Sequence, residues 1–422
     1  MYYIPDDIHI YNVVNPIIDN VKMKVLWFSN KELISSVVNS SGTWLSTMAN
    51  NLSDHSEIEI VNITEADTHD IQTKSASRMV EYVLPKFRLG KDGLPSISNI
   101  EKIKAIVENE HPDIIHVWGV EKYWGLLFAR KHIIGYHTIL DIQGVLEACD
   151  IFYKGELSFH SFLRKMRLFD ALYAYGFVYL QKLRMHRRVK YENEILQSFS
   201  NIGCQSEWVR NWVAYKNPSA KLYKSYISVR SEFCNPSTKW KIDNPKNRIT
   251  IVASGISYKR LDVAIKAFNI IHNIYPDIQL SIVGYKPDHR GFSRYLTSLI
   301  KNYRLNDCIE CLGNLQAGKI IDLYNKSYCS IISSSVESYS VVLAESIAYG
   351  IPCVVSYAGA LPEFQDRCSQ LLYFPSGDFV TCVNMIIHCI QQGCEIRELE
   401  TISDSKVAEN QLDVYKAIIN NQ

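Results

Sequence analysis

The sequence lacks an excess of either charge: 45 Lys and Arg stand against 44 Asp and Glu, a formal charge of +1. No global basic field marks a nucleic-acid binder, so partners must be argued locally. No run reaches the ~18 uninterrupted apolar residues that a spanning helix needs. The start, MYYIPDDIHIYN, has no cationic segment followed by an apolar one, so no secretory signal is read there. The eleven cysteines are odd in number and lie mostly in apolar runs such as IPCVV and YCSII, which suits reduced, buried thiols rather than a disulfide framework. Cys308 and Cys311 in DCIECLG have a metal-like spacing, but no second pair accompanies them, and no zinc site is expected. These absences place the expected site of action in the cytoplasm.

What is present is a rhythm. A chain of 422 residues exceeds what one core organises, and two domains of about 150 to 200 residues each are expected. Apolar runs at 24–29, 57–63, 113–119 and 138–144 read as strands, with helical spacing at 42–54 and 99–111 between them. Further runs at 248–254, 278–284, 308–314, 328–334, 351–357 and 371–377 repeat the pattern, separated by helices such as RLDVAIKAFNIIHNIY and AGKIIDLYNKS. The alternation predicts an α/β protein of two doubly wound, Rossmann-like domains facing across a cleft. Met23 looks more like a domain start than Met1, so 1–22 is expected to be an extension. The first domain then covers 23–234, and the second covers 248–400. The polar stretch 235–247, with two Asn-Pro steps, reads as the linker. Residues 401–422 read as a closing helix able to pack back on the first domain.

The segment 162–190 differs in composition. Arg164, Lys165, Arg167, Lys182, Arg184, Arg187, Arg188 and Lys190 oppose the single acid Asp170, with aromatic residues interleaved. Such a segment can lie on an anionic membrane surface, and it can equally be a pair of surface helices whose rings fill a core.

Parallel sheets bind ligands beyond the carboxyl ends of their strands, where helix N-termini attract phosphate. After the strand at 328–334, the loop SVESYSV leads into VVLAESIAYG. Ser338 and Ser340 are N-cap types, Gly350 is a natural stop and Pro352 prevents continuation. Glu337 and Glu345 are eight positions apart, two turns plus about 80° of a helix, so both can reach the same side. Amides near Ser340 and Val341 could hold a diphosphate, and the carboxylates could accept sugar hydroxyls. The same pair also fits one glutamate favouring the helix dipole and another on a solvated face.

The wider run SSSVESYSVVLAESIAYGIPCVVSYAGALPE resembles the signature of the retaining family 4 glycosyltransferases, within glycosyl transferases group 1. Ser334, Glu337, Tyr339, Glu345, Gly350, Pro352, Gly359 and Glu363 fall in register. SGISYKRLDVAIKAF resembles the family's Arg-x4-Lys-Gly-x-Asp segment through Lys259 and Asp262, with Ser254 at the arginine and Arg260 at the glycine. More loosely, MKVLWFSN, SSGTWLSTMANNLS and HPDIIHVWG follow the order of the first domain, with Gly42 in the glycine loop. The strand 138–144 ends in Gln143 where relatives often carry a histidine, and His116 is the alternative.

The resemblance implies the GT-B fold, a nucleotide diphosphate sugar as donor, and no need for a metal or other cofactor. No Asp-x-Asp motif is present to hold one. Glu337 and Lys259 become candidates at the transferred sugar and its leaving group, with Gln143 and His116 on the facing side. Gly42, Arg260, Ser338, Tyr339, Ser340, Val341, Glu345, Gly284 and Asn314 become candidates for donor binding. The implied activity is transfer to a saccharide or lipid-linked saccharide acceptor. The alternatives are an epimerase or hydrolase on the same fold, or a non-catalytic nucleotide-sugar-binding subunit.

Overall fold

The computed structural model describes residues 23–34, 43–55, 57–234, 239–365, 368, 371–393 and 403–420. The expected extension 1–22, the loop glycine Gly42, the start of the expected linker (235–238) and Cys394 lie outside them.

Fourteen strands among these residues form two sheets. The first contains β1 (Met23–Phe28), β2 (Ile58–Ala66), β3 (Gln72–Ala76), β4 (Met79–Pro85), β5 (Ile114–Trp118), β6 (His137–Ile142), β7 (Asn201–Cys204) and β8 (Lys221–Lys224). Their order is β3-β4-β2-β1-β5-β6-β7-β8, parallel except for the antiparallel edge pair β3–β4. The second contains β9 (Arg248–Val252), β10 (Gln279–Val283), β11 (Ile309–Gly313), β12 (Ser327–Ile332), β13 (Cys353–Tyr357) and β14 (Leu372–Pro375), in the order β11-β10-β9-β12-β13-β14. Central strands such as β5, IIHVW, are buried at every position, as strands covered by helices on both faces must be. The order reverses beside β1 in one sheet and beside β9 in the other. Those are the switch points at which doubly wound sheets open a crevice.

The sequence segments do not pack in chain order. The helix Leu168–Ser198 is a single 31-residue element, not a pair. Ala171, Ala174 and Val178, with Tyr153, Leu157 and Phe162 before them, join Ile251, Phe268 and Leu296 in the core of the second sheet. Val189, Ile195 and Leu196 join Leu26, Ile115 and Leu140 in the core of the first. One helix therefore straddles both bodies, although it falls inside the segment expected to form the first domain alone. The C-terminal helix Asp404–Ile419 packs through Val407, Leu412, Tyr415 and Ile418 on Val25, Trp27 and Ile58 of the first sheet. Within the polar stretch expected as a linker, Trp240 is buried, donating its backbone N–H to Tyr349 O and its indole N–H to Ser327 O. Its ring anchors that stretch against the second sheet.

Candidate active site

A cavity of about 770 Å³ opens at the second sheet's switch point. Its floor is the ends of the adjacent strands β9 and β12, Ile251 to Ala253 and Ile331 to Ser333, and its facing wall includes Gln143 and Gly144 beyond β6. Seven candidates line it together: Lys259, Glu337, Gln143, Ser338, Tyr339, Ser340 and Val341.

The Glu337 loop is held from several directions. Lys259 Nζ donates to Glu337 Oε1 at 2.6 Å, and Ser334 Oγ donates to the same oxygen at 2.7 Å. Glu337 is 13% exposed and Lys259 25%, so the pair faces the cavity while largely shielded. Ala360 N–H donates to the Glu337 carbonyl. Gly359 packs so closely that a β-carbon there would lie 2.3 Å from that carbonyl oxygen. Ser340 caps the helix Val341–Tyr349, its hydroxyl accepting from Leu343 N–H, but at φ 101° it occupies backbone space that favours glycine. Gly350 ends the helix at φ 85°.

The first body closes on this loop. Val145 N–H donates to Ser338 Oγ at 3.3 Å, and Ser206 Oγ donates to the Ser338 carbonyl at 2.7 Å. Glu363, the last residue of the signature, accepts the N–H groups of Glu207 and Trp208 at 2.9 and 2.7 Å. It thereby caps the helix Glu207–Lys216 with a carboxylate where the dipole favours one.

Other candidates do not reach the cavity. His116 is fully buried beneath the C-terminal helix, its Nδ1 2.8 Å from Tyr415 Oη and its ring stacked on Trp118. Burial lowers its pKa and the nearby Asp141 only partly opposes this, so it is a neutral core residue. Arg260 takes the left-handed backbone of a glycine, φ 53°, and is 2% exposed. Its guanidinium turns from the cavity to Asp262, with Nε 2.9 Å from Oδ1, and to Glu156. Burial pushes Asp262 up, but Arg260 and Lys266 outweigh it and hold the carboxyl below its usual range. Glu345 is 4% exposed and is gripped by Arg230, whose Nε and Nη2 donate to its two oxygens at 2.5 and 2.8 Å. Burial raises its pKa against that partner. Gly284, at φ 87°, packs on Ala253, and Asn314 is exposed outside the lining.

Arg188, Glu121 and Cys149 are among the lining residues not singled out from the sequence as site residues. Arg188 is, with Lys259, one of two cationic side chains among the described lining residues, and it donates to the Glu121 carbonyl. Glu121 is buried beside it, and burial pushes its carboxyl up while Arg188 opposes. Burial likewise pushes the Cys149 thiol up to about 12, which leaves it inert as a nucleophile. Arg188 sits in the basic segment, but only its helical phase distinguishes it from its exposed neighbours. Among the described residues, no group of three or more His, Cys, Asp and Glu could hold a metal ion.

Residues 235–375 match the model of the family described as Glycosyl transferases group 1. That stretch is similar to the group 1 glycosyltransferases. The matched stretch contains both the Lys259–Glu337 pair and the Glu345 helix. N-acetyl-alpha-D-glucosaminyl L-malate synthase of Bacillus anthracis is 24% identical over 266 residues, 62% of this chain and 61% of its own length. The amylovoran biosynthesis glycosyltransferase AmsK of Erwinia amylovora is 23% identical over 222 residues, 51% of this chain and 52% of its own. The matches thus span between half and two thirds of these curated relatives. Sucrose-phosphate synthase of Thermosynechococcus elongatus shares the fold with a TM-score of 0.67, covering 94% of this chain and 95% of its own at 14% identity. Two Rossmann-like bodies around one cleft are the GT-B architecture.

Proposed function

We propose that this protein transfers a hexose-type sugar from a nucleotide diphosphate sugar to a saccharide acceptor, with retention at the anomeric carbon and without a metal. One observation carries the reading: Lys259, Glu337 and Ser334 form a hydrogen-bonded group at the cavity edge, one turn before a capped helix whose amides face the same space. Lys259, Arg188 from the opposite wall and the amides near Ser340 and Val341 neutralise charge growing on the leaving diphosphate, the contribution that usually dominates such chemistry. Glu337 holds the donor sugar through its hydroxyls, and Gln143 contributes a neutral hydrogen-bonding group on the facing wall. The leaving phosphate takes the acceptor proton, so no protein group need act as general base. The likeness to AmsK, an amylovoran biosynthesis glycosyltransferase, supports an acceptor in polysaccharide synthesis. The free state of every described cysteine supports a reducing, cytoplasmic setting.

A thermal-shift screen of nucleotide sugars identifies the donor, since a ligand of the native state raises Tm by mass action. With that donor, Lys259→Ala and Glu337→Ala should each lower transfer at least about tenfold, equal to about 1.4 kcal/mol of barrier, with unchanged circular dichroism. Full turnover in both variants would overturn the assignment. Conversion of the donor with no acceptor present would point instead to an epimerase or hydrolase.

A further inference from the structure

We propose that the outward face of the helix Leu168–Ser198 docks on an anionic lipid bilayer and places the cavity behind the membrane surface. Phe169 is 84% exposed, and Leu172, Tyr173, Leu180 and Leu183 on the same arc are all exposed. In a helix, residues three and four apart share a face, and these positions form one stripe about 20 Å long at 1.5 Å per residue. The inward positions Ala171, Ala174 and Val178 are already buried in the second core, so the stripe is apolar surface beyond what folding requires. Ile151 and Phe152 are also exposed, on and just after the helix Leu146–Ile151 that packs against the long helix. A continuous apolar patch of this kind marks an interaction surface.

Charge selects the occupant. Arg164 and Arg167 lie at one end of the stripe and Arg184 and Arg187 at the other, all exposed and without an ion pair among the described residues. The one acid of the stretch, Asp170, is held by Arg294, and Lys182 and His186 are both held by Asp150. A second copy of this chain would bring guanidinium groups against guanidinium groups, which opposes a self-complementary interface. An anionic bilayer offers phosphates to the arginines and acyl chains to the rings and leucines, the pairing by which interfacial helices bind.

The opposite face of the same helix connects this surface to the site. Gln181, Met185 and Arg188 line the cavity, so the bilayer and the cavity lie on two sides of one helix, about 10 Å across. On the reading of the protein as a glycosyltransferase, this arrangement fits an acceptor saccharide carried on a lipid.

The test is co-sedimentation of the full chain with phosphatidylcholine vesicles, with and without phosphatidylglycerol. Binding is expected only to the anionic vesicles and should weaken with added salt. The double variant Arg184→Gln, Arg187→Gln should bind about thirtyfold more weakly, from about 1 kcal/mol per cation near such a surface. Phe169→Ser, Leu172→Ser, Leu180→Ser together should abolish binding. Equal binding to both vesicle types, no binding, variants that bind like the parent, or a solution dimer that the serine substitutions dissociate would each overturn the proposal. Vesicle binding is read without any nucleotide sugar, so it succeeds or fails independently of the glycosyltransferase reading. An unchanged thermal shift with donor in the serine variant would show that its cleft is intact.

Discussion

Gly359→Ala moves Glu337 without altering its side chain. Gly359 adopts φ 56°, and a β-carbon there would stand 2.3 Å from the Glu337 carbonyl oxygen and 2.8 Å from its amide nitrogen. Both are backbone atoms, so no rotamer relieves the overlap. Ordinary contact begins near 3.4 Å, and the loop must retreat by about 1 Å. A misplacement of that size can cost on the order of a hundredfold in rate, or about 2.7 kcal/mol of barrier. The left-handed backbone adds about 1–2 kcal/mol of destabilisation once a β-carbon is present. The assay is kcat/KM for sugar transfer, paired with a urea melt at a temperature where both proteins are folded. Gly318→Ala is the control: it lies in the helix Ala317–Asn325, where a β-carbon meets nothing within 4 Å. It should leave kcat/KM unchanged and add about 0.5–1 kcal/mol of stability. A Gly359→Ala enzyme with parental kcat/KM would refute the reasoning that this loop's position sets the rate.

Two further substitutions bear on the same region. Ser340→Gly should stabilise the protein by about 0.5–1 kcal/mol in a urea melt. Relief of strain on the order of 1–3 kcal/mol exceeds the entropy of one glycine, ~0.5–1 kcal/mol, and a cap loss of a few tenths; a destabilised variant would contradict this. Glu192 accepts the Leu146 and Glu147 amides at 2.6 and 2.8 Å, while burial pushes its carboxyl up from the usual 4.5 to about 7. The folded state therefore binds more protons than the unfolded chain across that window, and stability falls as pH rises from about 4.5 to about 7, then levels off. Between about pH 5 and about pH 8, Glu192→Gln should lose roughly 3 kcal/mol less than the parent, and parallel pH profiles would show that Glu192 does not titrate there.

The central strands of both sheets were legible because fully buried strands are continuous apolar runs. The outer strands of the first sheet were not. β3 is QTKSA, polar and mostly exposed, and β7 and β8 have only four residues each. The long helix defied its period for a different reason. Apolar residues occupy its buried face, where Val178 lies, and also its exposed face, where Phe169 lies, and no single stripe stands out. At the site, the family resemblance brought Lys259 and Glu337 forward, and the cap and stop residues Ser340 and Gly350 marked the helix after Glu337 because such residues have local signatures. Neither could fix side-chain direction. His116 lies one strand from Gln143, yet it is sealed under Tyr415. Arg260 follows Lys259 directly, yet the backbone turn at φ 53° sends it to the opposite side.

That turn also explains where the missing cation went. The glycine expected at Arg260 would tolerate left-handed backbone, and arginine accepts it only because Asp262 and Glu156 bind its buried guanidinium. A buried arginine paired on two sides is structural, and cannot swing to a diphosphate without leaving the buried Asp262 to Lys266 alone. Ser254 supplies no charge either. The cavity's two cationic side chains among the described residues, Lys259 and Arg188, approach from opposite walls, Lys259 paired with the Glu337 carboxylate and Arg188 donating to the Glu121 backbone carbonyl. On the proposed function, a diphosphate entering between these two cations would be attracted to both, and its charge would favour the approach of the two bodies. On the proposed donor, closure and charge neutralisation would be one event, whereas two cations from the same domain would bind a diphosphate without requiring the walls to meet.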